Sequence, residues 1–348
     1  MVWGKRRARC LRKESDAVEL VCPAGSLAAL EAAVDHGADW VYCGLRDDTN
    51  ARNFPGLNFD DAALAAGIAY AHRRGRRVAL AVNTYPQAAN WGRSTAALDR
   101  AAAAGADAAI VADPALLHYA RAVHPRLELH LSVQGSATSY EALEFFRERF
   151  GVRRAVLPRV LSLAQVEQVA RSTRVEIEVF GFGGLCVMTE GRCSLSGWVC
   201  GVSPNVAGAC SPAQAVRWRE TRAGLEARLA AVLVDRYAPG ERAAYPTVCK
   251  GRYQVAGEVY HAFEEPVSLN TLELLPRFAA IGVRAVKIEG RQRSAAYVAQ
   301  VTRVWREALD ALAREGARFA VRAEWKAALA RHAEGSQCTL GAFSRPWK

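Results

Sequence analysis

Four cysteines, Cys186, Cys193, Cys210 and Cys249, lie among glycines and short polar residues in the runs EVFGFGGLCVMTEGRC, GACSPA and YPTVCKGRY. Six, sixteen and thirty-eight residues separate them in turn. A thiolate is costly in a dry interior unless something cationic compensates it. Four cysteines in loop-forming sequence therefore suggest a metal ion or a cluster. No histidine lies between Cys186 and Cys249, so an all-sulfur site is the simplest arrangement, suiting Fe–S or zinc. The closely spaced cysteine pairs of zinc ribbons are absent, which puts Fe–S first. Four unrelated buried thiols would leave the same spacing, since free cysteine is among the most buried residue types. Of the other cysteines, Cys22 and Cys43 end apolar runs and read as core thiols, Cys10 and Cys338 need no role, and Cys200 is the one spare ligand within the stretch.

These loops need a frame. Apolar runs recur at Val18–Val21, Trp40–Cys43, Val78–Val82, Ala108–Val111, Leu127–Val133, Arg154–Leu157, Val175–Phe180 and Ala285–Ile288. Between them lie Ala-rich stretches with helical spacing, such as Ser26–Asp35, Asp60–Arg74, Pro114–Val123 and Ser139–Phe150, and a long one follows at Ala295–Glu315. Gly37, Gly105, Gly151 and Gly282 each stop a helix just before the next strand. Eight strands at this pitch predict an α/β fold, a parallel (β/α)8 TIM-like barrel, in preference to an open doubly wound sheet. No Gly-rich dinucleotide fingerprint follows the first strand.

The expected organisation is a basic flexible extension over residues 1–17, seven strand–helix units over 18–180, a cysteine-bearing insertion over 181–268, a closing unit with the eighth strand over 269–318, and an appendage over 319–348. Within the insertion, Tyr245–Phe263 alternates polar and apolar residues around Ala256-Gly257 and predicts a hairpin. Chemistry in such barrels sits at the C-terminal strand ends. Asn83, Asp113, Gln134, Arg159, Glu289 and Arg291 fall there, with Arg52 in the loop after the second strand. Asn83 and Asp113 could equally cap helices, Arg159 and Arg291 could be held in ion pairs, and Arg52 could be a solvated loop charge.

The run Glu178-Val-Phe180, Gly183, Leu185-Cys186 and Gly191-Arg-Cys193-Ser-Leu195-Ser196 resembles the signature of the collagenase-like U-class peptidase family. That signature has Ser or Ala where this chain has Gly184. Further matching stretches run in order from CPAGSLAALEAAVDHGADWVYCGL through DDTNARNFPGLNF, VLPRVLS, SLNTLELLP and KIEGRQRS to TLGAF. The family includes Fe–S hydroxylases of ubiquinone precursors and of RNA bases, and the resemblance is strongest to the ubiquinone branch. It implies a 4Fe-4S cluster on Cys186, Cys193, Cys210 and Cys249. It further implies oxygen-independent ring hydroxylation with prephenate as oxygen donor, a heterodimer with a UbiV-like family member, and a lipid-carrier protein delivering the prenylated substrate. Prephenate is a dicarboxylate, and bidentate arginines are its natural grip. Arg52, Asn83, Arg159, Glu289 and Arg291 are accordingly the candidate substrate-binding residues.

The rival readings are an RNA-base hydroxylase of the same family, whose members are longer than these 348 residues, a cluster-bearing scaffold for a catalytic partner, and a cysteine peptidase. A peptidase needs a partnered histidine, and five of the seven histidines fall in or at the ends of predicted helices, leaving His130 and His261. The net charge of +11 is spread through the helices without an RNA-binding motif, which favours a solvated surface over a polyanion site. No apolar run reaches membrane-span length, residues 1–17 lack the apolar core of a secretory signal, and nine cysteines without such a signal fit a reducing cytoplasm.

Overall fold

The computed structural model describes residues 17–204, 210–334 and 337–345. Apart from Ala17, the basic extension lies outside the described residues, as do Cys10 and the last three residues.

Eight parallel strands close on themselves. They are β1 (Glu19–Pro23), β2 (Trp40–Gly44), β3 (Arg77–Val82), β4 (Ala108–Val111), β5 (Glu128–Leu131), β6 (Arg154–Val156), β7 (Glu176–Gly184) and, in chain order, β14 (Ala285–Ile288). Closure comes from β14, which pairs with β1 at Glu19↔Ala285 and with β7 at Ala285↔Glu178. The (β/α)8 barrel expected from the strand pitch is the architecture found. Helices α1 (Leu27–Asp35), α2 (Asp61–His72), α3 (Trp91–Ala103), α4 (Pro114–Val123), α5 (Tyr140–Phe150) and α6 (Leu163–Ser172) connect the first seven strands. Ser26, Asp60, Asp113, Ser139 and Ser162 each accept a hydrogen bond from a first-turn backbone N–H, which fixes where five of these helices begin. Gly151, at φ 74°, ends α5 in the left-handed conformation that glycine adopts at least cost.

Two faces of each strand go to two different cores. Leu20, Cys22, Val41, Cys43, Leu80, Val111, Ile177 and Val286 point outward and are buried beneath the helices. Burial of each such aliphatic side chain contributes about 1.5–3 kcal/mol. Inward lie Val21, Trp40, Tyr42, Ala79, Ala81, Ile110 and Ala285, with charges threaded among them. Arg154 meets Glu176 at 2.6 Å and also Glu19. Lys287 Nζ sits 2.7 Å from Glu178 and 3.8 Å above the ring of Tyr42. Charges are tolerated at this depth only when paired in this way.

At Gly184 β7 ends and the insertion begins. It holds α7 (Leu195–Cys200), an antiparallel sheet of β8 (Val216–Thr221), β9 (Gly224–Leu229) and β10 (Val232–Tyr237), and a hairpin of β11 (Arg252–Val255) and β12 (Glu258–His261). The hairpin turns on Ala256 and Gly257, both at positive φ, as a tight two-residue turn demands. The three-stranded sheet has no counterpart in the sequence expectations. Next, β13 (Ser268–Asn270) returns antiparallel to the overhanging end of β7, with Ser268 opposite Gly184. The chain then forms α8 (Leu275–Ile281), β14, α9 (Ala295–Glu315), α10 (Ala323–Ala330) and β15 (Cys338–Thr339), which pairs with β13. Among the described residues no helix is long and apolar enough to cross a membrane.

Candidate functional site

The end of β7, the insertion and the ends of β6 and β14 enclose a cavity of about 750 Å³ at the C-terminal mouth of the barrel. Cys186, Cys193, Cys210 and Cys249 all line it, whereas Cys200 does not. Why the chain can bring the cysteine loop here is written in its glycines. Gly191 has φ +86°, and a Cβ on it would stand 2.1 Å from the carbonyl oxygen of Gln134. Only a glycine lets the loop rest on the turn after β5, where Ser136 Oγ donates to Glu190 O at 2.6 Å. At Gly184 an added Cβ would meet Glu289, Lys250 and Glu334 at 3.5–3.8 Å, ordinary contact distances. The serine or alanine of the signature would fit there as well.

Glu289, at the end of β14, anchors the polar floor of the cavity. Its carboxylate accepts from Arg159 Nη1 at 2.8 Å, Arg52 Nη2 at 3.4 Å and the Gly184 N–H at 3.1 Å. Burial pushes this carboxyl up, but Arg159, Arg52 and Lys250 outweigh that and hold it down at about 2. Arg159 also donates to Gly184 O, and its guanidinium lies 3.8 Å from the centre of the Phe180 ring. Its Nε is 3.0 Å from Glu190 Oε1. That contact is an ion pair without hydrogen-bond geometry, because neither Glu190 oxygen has a hydrogen-bonding partner. Burial raises the Glu190 carboxyl above its ordinary value, with Arg159 opposing. Glu190, Lys250 and Glu334 belong to the cavity wall and were missed by sequence reasoning. Glu190 and Lys250 could have been found from their places inside the two cysteine loops.

The remaining candidates fall into three groups. Arg52, Arg159 and Glu289 line the cavity. Arg291 lies beneath it: only 4% exposed, it donates to Asn50 Oδ1 at 3.0 Å and sits 5.8 Å from the Tyr42 ring. Burial lowers its guanidinium to about 10. Asn83 accepts from the Ala51 N–H at 2.9 Å and donates to Ser132 Oγ at 3.3 Å, tying the loop after β2 to the end of β5. Asp113 caps α4. Gln134 is buried, with its backbone oxygen against Gly191. Of the strand and hairpin histidines, His130 packs edge-on to Trp40 inside the barrel, and His261 Nδ1 faces Lys250 O at 3.1 Å.

The four cavity-lining thiols are an all-sulfur donor set of the kind that Fe–S centres and zinc both take. Burial raises the thiols of Cys186 and Cys210 above their ordinary value and that of Cys249 to about 11, so without a metal these sulfurs hold their protons at neutral pH. A bound cationic centre would remove that penalty. Among the described residues no three His, Cys, Asp or Glu side chains close on a single ion position. In a 4Fe-4S cluster each cysteine binds a different iron, so its four thiolates do not converge on a single ion position.

The chain matches the profile of peptidase family U32 over residues 25–345. It is 30% identical over 308 residues to the tRNA hydroxylation protein P1 of Bacillus subtilis, covering 88% of this chain and 66% of that protein. To the tRNA hydroxylation protein P of Escherichia coli it is 32% identical over 314 residues, covering 84% of this chain and 68% of that one. The chain thus spans about two thirds of the length of these relatives. A solved structure of the U32 peptidase Mk0906 is 17% identical, with a TM-score of 0.42 over 52% of this chain and 76% of that chain. That likeness is too distant to add to the fold described above. A profile match running through barrel, cysteine insertion and tail makes this chain a member of peptidase family U32.

Proposed function

We propose that this chain acts in the hydroxylation of RNA bases and carries a 4Fe-4S cluster on Cys186, Cys193, Cys210 and Cys249. The observation that carries it is the likeness to tRNA hydroxylation proteins over 84–88% of the chain, a span that includes all four cavity-lining thiols. A 23S rRNA 5-hydroxycytidine C2501 synthase of Escherichia coli, 29% identical over 304 residues, supports the same chemistry on a second kind of RNA. This replaces the preference for a ubiquinone precursor drawn from sequence resemblance.

The cluster, when bound, supplies electron transfer beside the barrel mouth. The chain's own residues do the rest. Arg52, Lys250 and Arg293 line the cavity, each paired with a carboxylate, Glu289 for Arg52 and Glu334 for the other two. They are the cations proposed to meet a dicarboxylate oxygen donor, for which prephenate is the proposed compound. Arg159 is less available, being shared between Glu289 and Glu190. Glu190, protonated more readily than an ordinary carboxyl, can hold a proton at the cavity wall.

One observation favours a second reading, a UbiU-like role in oxygen-independent ubiquinone biosynthesis with a UbiV-like partner and a lipid-carrier protein. Phe54, Pro55, Leu57, Val187, Met188 and Leu195 supply an apolar part of the cavity lining that suits a prenylated ring. Deleting the gene and measuring both products separates the two. Loss of hydroxylated tRNA or rRNA nucleosides with ubiquinone intact supports the RNA reading. Ubiquinone lost only without oxygen, with nucleosides unchanged, supports the second.

A further inference from the structure

We infer that the outer face of the β8–β10 sheet is a docking surface for the phosphate backbone of RNA, an inference that rests on the RNA reading of the function. Strand register carries it. Arg217 stands opposite Arg228, Arg219 opposite Glu226, and Glu226 opposite Arg236. Directly opposed residues share a face, so this face carries four arginines and a single carboxylate, Glu226. Glu226 is itself covered, 6% exposed, with Arg228 at 3.3 Å and Arg236 at 2.8 Å. Among the described residues no carboxylate lies within ion-pair distance of Arg217 or Arg219, both exposed. Arg217 donates instead to the backbone oxygens of Gln214 and Val216.

Like charges directly opposed across strands oppose pairing. The other face of the same sheet is ordinary by contrast. Ala227, Leu229 and Tyr237 are buried there, and Tyr237 donates to Ala244 O. Glu226 accounts for Arg228 and Arg236 through cross-strand and neighbouring ion pairs, and leaves the exposed Arg217 and Arg219 in excess of what the sheet's pairing uses. An excess of forked guanidiniums is what a run of phosphates recognises.

The sheet is joined to the cavity. Val216 begins β8 only six residues beyond Cys210. Beyond Cys249, an added Cβ on Gly251 would stand 2.3 Å from Val234 O, and Arg252 Nε pairs with Asp235 at 2.6 Å. One exposed aromatic, Tyr245 at 48%, stands on the cavity wall, whereas Trp218, opposite Ala227, belongs to the other face of the sheet beside Tyr237. Aromatic rings stack on unpaired bases. A strand whose phosphates follow the arginines would meet Tyr245 where the cavity with its thiols begins.

The test uses the full chain and unfractionated tRNA as probe, with Kd followed over a series of salt concentrations. The double variant Arg217→Ala/Arg219→Ala should weaken binding about tenfold and flatten the salt dependence by about two ion equivalents, while Arg303→Ala, on α9, should change neither. Equal thermal unfolding of variant and parent establishes that the sheet is intact. A second variant, Arg236→Gln, should weaken binding in the same direction. Unchanged tRNA binding in both variants overturns the surface but not the RNA reading, which the nucleoside analysis decides separately. Loss of binding to anionic lipid vesicles with tRNA binding unchanged would assign the face to a membrane and also overturn the inference.

Discussion

The carboxylate of Glu289 and the guanidinium of Arg159 meet at 2.8 Å, 130 positions apart in the chain, and lock the end of the eighth barrel strand to the loop after the sixth. The pair is the polar floor of the cysteine-lined cavity, and Gly184, the last residue of β7, is bound by both partners.

Removing Arg159 should therefore act on stability as well as on activity. Arg159→Ala leaves Glu289 and Glu190 in a buried site without their main counter-charge. Breaking such a pair costs about 3–5 kcal/mol. Chemical denaturation at neutral pH should register the loss, and Arg159→Lys should recover only part of it because a point charge cannot reach Glu190, Glu289 and Gly184 O together. A change below about 0.5 kcal/mol would mean that the cavity floor is solvated in solution.

Much of this architecture is legible in the sequence. The eight strands are apolar runs, four of them preceded by the helix-stopping glycines Gly37, Gly105, Gly151 and Gly282. The strand boundaries follow the runs to within about two residues except at β7, which continues four residues past Phe180 to Gly184. The cysteine loops announce themselves through Gly191, whose neighbours leave no room for a side chain. What the sequence conceals is the division of labour among the arginines. Arg159 and Arg291 both leave strand ends, yet one faces the cavity between two carboxylates and the other lies under it against Tyr42 and Asn50. Partners 130 or 241 positions away leave no local pattern. The β8–β10 sheet escaped for a related reason. Its RWRET strand carries charge on both sides of a single tryptophan and lacks the apolar alternation that marks a half-buried strand.

Arg291→Ala should consequently behave as a structural variant. The side chain is 4% exposed and does not line the cavity, so its loss leaves Asn50 Oδ1 short of one donor and opens space beneath Tyr42. A destabilisation of about 1–3 kcal/mol is expected, with the demand for oxygen donor unchanged in the folded fraction. A raised donor requirement at undiminished stability would place Arg291 among the binding groups after all.

Acid should loosen the opposite end of the barrel through Glu19. Burial raises this carboxyl, but Arg154, Arg77 and Arg284 together bring it below its ordinary value. A depressed folded-state value means that the stabilisation is complete above the unfolded carboxylate range near 4.5 and is lost as pH falls below it. Glu19→Gln should therefore be less stable than the parent at pH 7, with the gap narrowing in acid. A gap that stays constant from pH 7 into the acid limb would show that Glu19 has no linked proton.

The cluster assignment separates the cysteines cleanly. Cys186→Ala, Cys193→Ala, Cys210→Ala and Cys249→Ala should each lose iron and acid-labile sulfide from anaerobically prepared protein. Cys43→Ala should keep both, because its thiol is fully buried under the outer helices and pushed up to about 12. Cys200, on α7 and off the cavity wall, should also be dispensable. Iron retained in Cys210→Ala but lost in Cys200→Ala would exchange the third ligand, and stoichiometric zinc would make the site structural.

Glycine substitutions test whether the loop must sit where it does for the metal to bind. Gly191→Ala places a methyl 2.1 Å from Gln134 O at a φ of +86°, a combination of clash and left-handed strain that costs about 1–3 kcal/mol or forces the loop off the turn after β5. The barrel, whose strands do not involve this loop, should keep its unfolding transition, while iron content falls because Cys186 and Cys193 flank the displaced residue. Gly184→Ala is the matched control. Its methyl would meet only ordinary contacts, so both stability and iron should survive. Equal iron in the two variants would mean that the cysteines find their cluster without the support of Gln134 and Ser136.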